Sequence, residues 1–361
     1  MSAWRAVLLA ALVGAPATAF AEPYLAARQG FKCLLCHVNP TGGGMRTAFG
    51  NAYAQNTLAA KRVQTLGVDV WSDALDNLLS LGGDLRTGAT HTSVPDQADR
   101  SAFETQELRL YVAANVIPDR LLIYIDQGLA PGGSRNQETY ARLLFAEGRY
   151  YLKAGQFYLP YGLRLEDDTA FIREAPGINM TTPDNGFELG YERGRWTIQL
   201  AGSNGTSGGT ENDQGKQASL RGEYVASAWR LGASGNFNHT EAGDRQMQNV
   251  FAGLRTGPFV WLAEADYVTD DSFATGERSL WAGLLETNWG YAAGHNLKAT
   301  GEYLDPDADV DEDQQARYSL VWEYTPIQFL QARLGARVYD GIPQNDLQNR
   351  QHFFIELHGF F

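Results

Sequence analysis

The sequence predicts an all-β fold, a transmembrane antiparallel barrel of about 16 strands of the outer-membrane kind, behind a small N-terminal segment. Three observations carry this. The chain opens like an exported protein, no later stretch is apolar enough for a spanning helix, and most of it alternates in polarity from residue to residue.

The export signal comes first. Arg5 is followed by the apolar run Ala6 to Ala15, then Pro16 and the small-residue site Ala19-Phe20-Ala21, a pattern that predicts cleavage before Glu22. That run is too short to span a bilayer, and nothing downstream approaches the roughly 18 to 20 uncharged apolar residues a transmembrane helix needs. A membrane location therefore implies strands. Net charge is -13, and loss of Arg5 with the signal makes the mature chain more acidic, which argues against a nucleic-acid partner. Among 361 residues there are 39 Gly, 17 Tyr, 17 Phe and 8 Trp, a composition suited to extended structure with aromatic girdles.

Residues 22–77 differ from the rest of the mature chain. They hold both cysteines, the Gly42-Gly43-Gly44 turn and a mildly helical stretch from Thr47 to Ala60, and are expected to form a separate small unit with a linker. Residues 78–361 divide into segments of roughly ten residues ended by Gly, Pro, Asn or Asp, each a candidate strand. In the last, Phe353, Ile355, Leu357, Gly359 and Phe361 share one face, and His352, Phe354, Glu356, His358 and Phe360 the other. Lipid outside and a polar lumen inside demand that pattern. It recurs with Leu334 and Val338 against Arg333 and Arg337, with Leu320 and Trp322 against Arg317 and Glu323, and with Leu110 and Val112 against Arg109 and Tyr111. A terminal Phe361 also resembles the assembly signal of outer-membrane barrels.

Connections alternate in length. Tight turns are expected at Pro118-Asp119, Gly194-Arg195, Gly257-Pro258 and Thr325-Pro326, and long polar ones from Ser203 to Lys216 and from Asp305 to Gln315. Short periplasmic turns and long external loops have this form. The longest connection, Arg164 to Asp184, follows the fifth strand, where porins fold a loop into the lumen. Expected lumen charges are Asp84, Arg86, Arg109, Asp126, Arg142, Arg221, Glu223, Glu302, Arg317, Glu323, Arg333, Arg337 and Glu356. Mixed signs suit mutual pairing in a narrow or plugged lumen rather than a selective pore. The acidic run Asp305 to Asp313 is expected outside, as a solvated loop or one that gathers divalent cations such as Fe(II) or Ca(II).

Cys33-Leu34-Leu35-Cys36-His37 is the motif that carries chemistry. Two thiols at this spacing can form thioethers with haem vinyl groups, and the adjacent imidazole can become the proximal iron ligand. A redox dithiol or a small disulfide remain the alternatives. For a sixth ligand the candidates are Met45, eight residues after His37, and His358, which alternation directs into the lumen near the periplasmic end. His352 is directed there too, farther out. His91, in the first external loop, His239 and His295 are expected on surfaces or loops.

At Pro23-Tyr24, Arg28, Cys33-Leu-Leu-Cys36-His37, Pro40 and Phe49-Gly50, followed by the barrel pattern, the sequence resembles the fused cytochrome-porins, whose best-known members are outer-membrane iron oxidases. It departs from them at Gly42-Gly43-Gly44-Met45-Arg46. The resemblance implies a monohaem cytochrome c-like segment with one covalent haem c on Cys33, Cys36 and His37, electrons taken from extracellular Fe(II), and periplasmic cytochromes as partners. Lipid and lipopolysaccharide would surround the barrel. Because the apolar band is about 25 Å tall, a haem hanging below it could not meet an excluded donor; either the segment enters the barrel or the donor diffuses through. The competing expectation is a passive porin whose haem segment is a sensor, gate or docking tag.

Overall fold

The computed structural model describes residues 22–63, 74–75, 78–165, 167–211, 214–273 and 276–361. The predicted signal, 1–21, and most of the predicted linker lie outside the described residues. From Leu79 onward the chain winds into a closed barrel of 16 antiparallel strands, each paired with its neighbours in sequence. Closure joins β1 (Leu79–Ser93) to β16 (Gln351–Phe360), with Asp84 opposite Phe360 and Thr92 opposite His352. Phe361 completes the ladder by exchanging two 3.1 Å hydrogen bonds with Gly83.

The alternation read from the sequence is the alternation of the wall. Phe353, Ile355, Leu357, Leu334, Val338, Leu320 and Tyr318 are exposed on the outer face, whereas Glu356, His358, Arg333 and Arg317 are buried in the lumen. A period of two places successive side chains on opposite faces of a strand. Outward-facing aromatics gather at the short-turn end of the barrel, where Trp196 meets Tyr224 at 5.0 Å between centroids and Tyr224 meets Trp229 at 5.4 Å. His295 is part of this girdle, stacked 4.2 Å from Tyr324.

The tight turns fall as expected at 118–120, 194–195 and 257–258, and the long connections at 204–216 and 306–314. Thr325-Pro326 is a correction. These residues lie inside β14 (Gln315–Ile327), and the turn is Gln328-Phe329. Proline has no N–H for the ladder, so the register shifts between Tyr324 and Ile327. The carbonyls set free there accept from the N-terminal segment, Ala60 N–H to Thr325 O at 2.8 Å and Lys61 N–H to Pro326 O at 3.1 Å. A second correction concerns His91, which belongs to β1 rather than to a loop, and whose Nδ1 meets Ser101 Oγ at 2.9 Å.

The connection after β5 (Tyr150–Phe157) folds into the lumen, but it starts at Tyr158, six residues before the predicted Arg164. The strand pattern runs out at Pro160, and Tyr158, Leu159, Tyr161 and Leu163 turn inward and are buried. The segment runs to Pro183, includes a helical turn at Phe171–Glu174, and packs Phe171 and Ile172 against the lumen residues Val260, Leu262 and Leu284.

Candidate functional site

Among the described residues, three short helices precede the barrel: α1 (Pro23–Gln29), α2 (Cys33–Cys36) and α3 (Ala48–Tyr53), the last running on as a π-helical turn, Ala54–Leu58. Pro23 starts α1, a position where its missing N–H costs nothing. Gly30 ends it at φ 68. Thr47 caps α3, its Oγ1 accepting from Gly50 N–H at 3.1 Å while donating to Leu35 O at 2.7 Å, and so ties α3 to α2. Gly50 is required by that contact, because a Cβ there would stand 2.2 Å from Cys36 O. Between the helices, Gly42, Gly43 and Gly44 have φ of 91, 78 and 64 in succession, conformations open to glycine and strained for other residues.

This segment lies in the mouth of the barrel at the end with the short turns. Lys32 Nζ reaches Glu192 Oε2 at 2.7 Å and Trp196 O at 2.6 Å, at one of those turns. Tyr24 donates to Glu323 at 2.8 Å, Asn39 to Glu138 at 2.6 Å, and Arg142 to Val38 O at 2.5 Å. Deeper still, Met45 N–H donates to Tyr124 Oη at 3.0 Å. The inward tip meets the β5–β6 segment: a Cβ on Gly43 would be 3.0 Å from Met180 Cε and 3.5 Å from Arg164 Cδ. Two insertions, one from each side of the membrane, thus touch inside the lumen.

Between segment and wall lies a cavity of about 1110 Å3, counting the open space at its mouth, lined by Cys33, Cys36 and His37. Its other walls include Leu25, Phe31 and Phe360, the imidazole of His358, and the guanidiniums of Arg46, Arg86, Arg164, Arg221 and Arg230. Burial, and then the Arg46 charge, hold the His37 imidazole down to about 4. It is therefore neutral near pH 7, the form that binds metals. Its Nδ1 is buried with no hydrogen-bond partner. Burial pushes the Cys36 thiol up to about 11, with Cys33 adding to the shift, the opposite of the lowered pKa that activates a redox dithiol. An apolar and cationic cavity edged by two thiols and a neutral imidazole fits a covalently held haem.

Of the two candidate sixth ligands, His358 lines this cavity and Met45 does not. Met45 is 1% exposed, packed in the cluster with Tyr111 and Tyr124 and against Gly82. His358 Nε2 meets Asp84 Oδ1 at 2.6 Å, and Asp84 also accepts from Tyr111 at 2.6 Å and from Arg46 at 3.4 Å. His352 stands farther out, its Nδ1 2.9 Å from Thr92 Oγ1. His239 is exposed beside Asp244.

The predicted lumen charges face inward and form ion pairs, except Arg142, whose partner is Val38 O. Glu356 bridges Arg86 at 2.9 Å and Arg333 at 3.1 Å; Arg109 meets Glu107 at 2.9 Å and Asp126 at 3.4 Å. Arg317 joins Glu302 at 2.5 Å to Asp167 at 2.9 Å, and Arg337 adds a 2.8 Å contact to Asp167. Asp167 belongs to the inserted β5–β6 segment, so these pairs fasten it to the wall. The acidic run is tied to the neighbouring strand where Arg278 donates to Pro306 O at 2.6 Å and stands 3.7 Å from Asp307, and where Ala308 N–H donates to Ser279 O at 2.8 Å. Among the described residues no three His, Cys, Asp or Glu side chains converge on a common point.

The sequence reading missed Arg164 and Arg230 as cavity residues. Strand alternation could have found Arg230, between the exposed Trp229 and Leu231. Nothing local marks Arg164, which reaches the cavity only because a connection folds inward.

Comparison with solved structures bears on the barrel. OmpT of Vibrio cholerae, in a trimeric form, superposes with a TM-score of 0.63 at 13% identity over 78% of this chain and 99% of that one. The barrel has the fold of outer-membrane porins. An anion-selective porin from Comamonas acidovorans gives 0.61 at 9% identity, over 78% and 99%. OprB of Pseudomonas putida gives 0.61 at 9% identity, over 80% and 95%. No family model matches the sequence, and no curated relative matches it. At these identities the likeness concerns architecture alone: the barrel has the porin fold.

Proposed function

We propose that this porin-fold barrel carries one c-type haem on its N-terminal segment and moves electrons across the outer membrane. The carrying observation is that Cys33, Cys36 and His37 line one cavity inside the barrel mouth. Cys33 and Cys36 would hold the group covalently, and His37 would be its proximal ligand. His358 is preferred to Met45 for the sixth position, through the ring nitrogen that Asp84 leaves free; a carboxylate on the other nitrogen of a ligating histidine is a recurrent device that fixes the ring. When bound, the group supplies one-electron Fe(II)/Fe(III) chemistry, while the protein sets its ligands, burial and route.

The chain's own residues have distinct tasks. Leu25, Phe31 and Phe360 would give a bound macrocycle apolar surface to lie against. Leu35, 41% exposed within the attachment motif, and Phe49, 43% exposed beside it, bring the periplasmic surface close to the site, where a periplasmic cytochrome could exchange electrons. On the other side, the β5–β6 insertion narrows the approach for a diffusing donor such as extracellular Fe(II).

A passive porin, with the N-terminal segment as gate or docking tag, is the second reading. The likeness to porins favours it. Visible spectra of the detergent-purified protein, oxidised and reduced, decide between the two, followed by titration with Fe(II) near neutral pH. A covalent c-type spectrum that reduces with Fe(II) supports the conduit. A protein without haem that conducts solutes supports the porin.

A further inference from the structure

The wall facing the attachment motif holds more positive charge than its neighbours neutralise. Arg221 and Arg230 share a single carboxylate, Glu223, at 3.3 Å and 2.6 Å. Arg164, 8% exposed, has no carboxylate within ion-pair distance among the described residues. Glu138 acts on it only from farther away, with one oxygen already engaged by Asn39 and the Tyr158 N–H. Arg164 Nη2 donates to Leu159 O at 3.1 Å, but its Nη1 is buried without a partner, and so is Arg230 Nη1. All three side chains line the cavity that Cys33, Cys36 and His37 edge.

A buried guanidinium with idle donors is costly, by several kcal/mol for an uncompensated charge. It persists where an anion completes it, and a planar fork of N–H donors matches a carboxylate. We propose that Arg164, with Arg221 and Arg230 behind it, forms a carboxylate-binding subsite of this cavity. Through it the inward β5–β6 segment grips whatever the N-terminal segment carries. Two sources of carboxylate fit: the propionates of a haem held on Cys33 and Cys36, which rests on the function proposed above, or a small diffusible carboxylate entering the lumen, which does not. Arg230 Nη2 lies 3.9 Å from Cys33 Sγ, at the thiol end of the wall, whereas Arg164, 4.8 Å from the Tyr158 ring and bonded to Leu159 O, keeps its Nη1 for a carboxylate.

The test uses the full-length protein in detergent, produced with haem attached, and its Arg164→Gln and Arg164→Lys variants. Removing a positive charge beside the haem disfavours the ferrous state. Arg164→Gln should therefore lower the midpoint potential and move a propionate ionisation upward in the pH profile of that potential, while Arg164→Lys stays near the parent. A second arm uses the Cys33→Ala/Cys36→Ala protein in planar bilayers with succinate as probe. Saturable block of conductance that Arg164→Gln abolishes assigns the subsite to a diffusible carboxylate. Either result supports the subsite, and the second does so even if no haem is ever found. An unchanged potential and pH profile in Arg164→Gln, together with no Arg164-dependent succinate block, overturns it.

Discussion

The two segments that enter the lumen are held by different physics. The β5–β6 insertion behaves as core: Leu163, Leu165, Phe171 and Ile172 pack with Phe251, Val260 and Leu262 from the wall, and buried ion pairs of Arg173 with Glu264 and of Arg317 with Asp167 hold its two halves. The N-terminal segment has a smaller apolar share: Tyr24, Ala27 and Leu25 pack at that cluster, and Val38 and Met45 pack with Tyr111 and Tyr124. It adds separate polar contacts, from Lys32, Asn39 and Arg46, spaced around a cavity. Apolar burial is roughly additive and non-directional, about 25 cal/mol per Å2, and needs no ligand to be complete. A shell of hydrogen bonds around open space is completed by what fills the space. One insertion is thus a permanent constriction, and the other is a holder.

The largest test of this contrast empties the holder. Cys33→Ala/Cys36→Ala should abolish any covalent haem, seen as complete loss of the c-type absorption, yet leave the barrel closed, seen as an unchanged heat-dependent shift on a detergent gel. If the barrel fails to assemble, the holder is part of the constriction after all. Next in size, Phe171→Ala in the permanent insertion should cost about 3 to 5 kcal/mol and free that segment from the wall. Single-channel conductance in bilayers should rise, whereas an equally large rise from loosening the N-terminal segment alone would erase the distinction.

Acid should act on the holder selectively. In the protein lacking both cysteines, an unfolded His37 binds a proton below about 6.5, whereas the inserted one refuses it until about 4. Across that window the unfolded form binds more protons, so the insertion loses stability as pH falls, by at most about 3 kcal/mol, and regains it above. Hydrogen exchange followed by mass spectrometry, corrected for the intrinsic pH dependence of amide exchange, should show lower protection in residues 22–58 at pH 4.5 than at pH 7, with protection in the strands unchanged. A smaller effect is expected from Asn39→Ala, which removes the 2.6 Å bond to buried Glu138. It should cost about 1 to 3 kcal/mol of anchoring, read as the same local increase in exchange at neutral pH. Smallest of all, Asp309→Asn in the exposed acidic run should change stability by less than about 0.5 kcal/mol and leave any haem spectrum unaltered.

Much of the architecture was legible because a strand in a membrane wall obeys a strict rule. With lipid on one side, Ile355 and Leu357 must point out and Glu356 and His358 in, and turn chemistry at Pro118-Asp119 and Gly194-Arg195 sets the ends. The rule failed where another force intervened. Pro326 looks like a turn, but a proline at a strand edge can be absorbed by a shift in register, with its carbonyl used by Lys61 N–H. Arg164 looks like the start of the connection that follows the fifth strand, yet the chain had already turned inward at Tyr158.

By itself the sequence determined the alternating barrel, its closure residue Phe361, the mixed and mutually pairing lumen charges, and a two-cysteine motif of haem-attachment type. These are properties of local spacing, which a period of two or a gap of two residues fixes without reference to the rest of the chain. Only the tertiary structure decided that the motif faces the inside of the barrel, that His358 shares its cavity while Met45 packs away, and that Arg164 stands opposite. Those relations join residues distant in the chain, Cys33 with both Arg164 and His358, and Met45 with Tyr124, and they exist because two insertions meet inside a ring whose circumference is set by its sixteen strands.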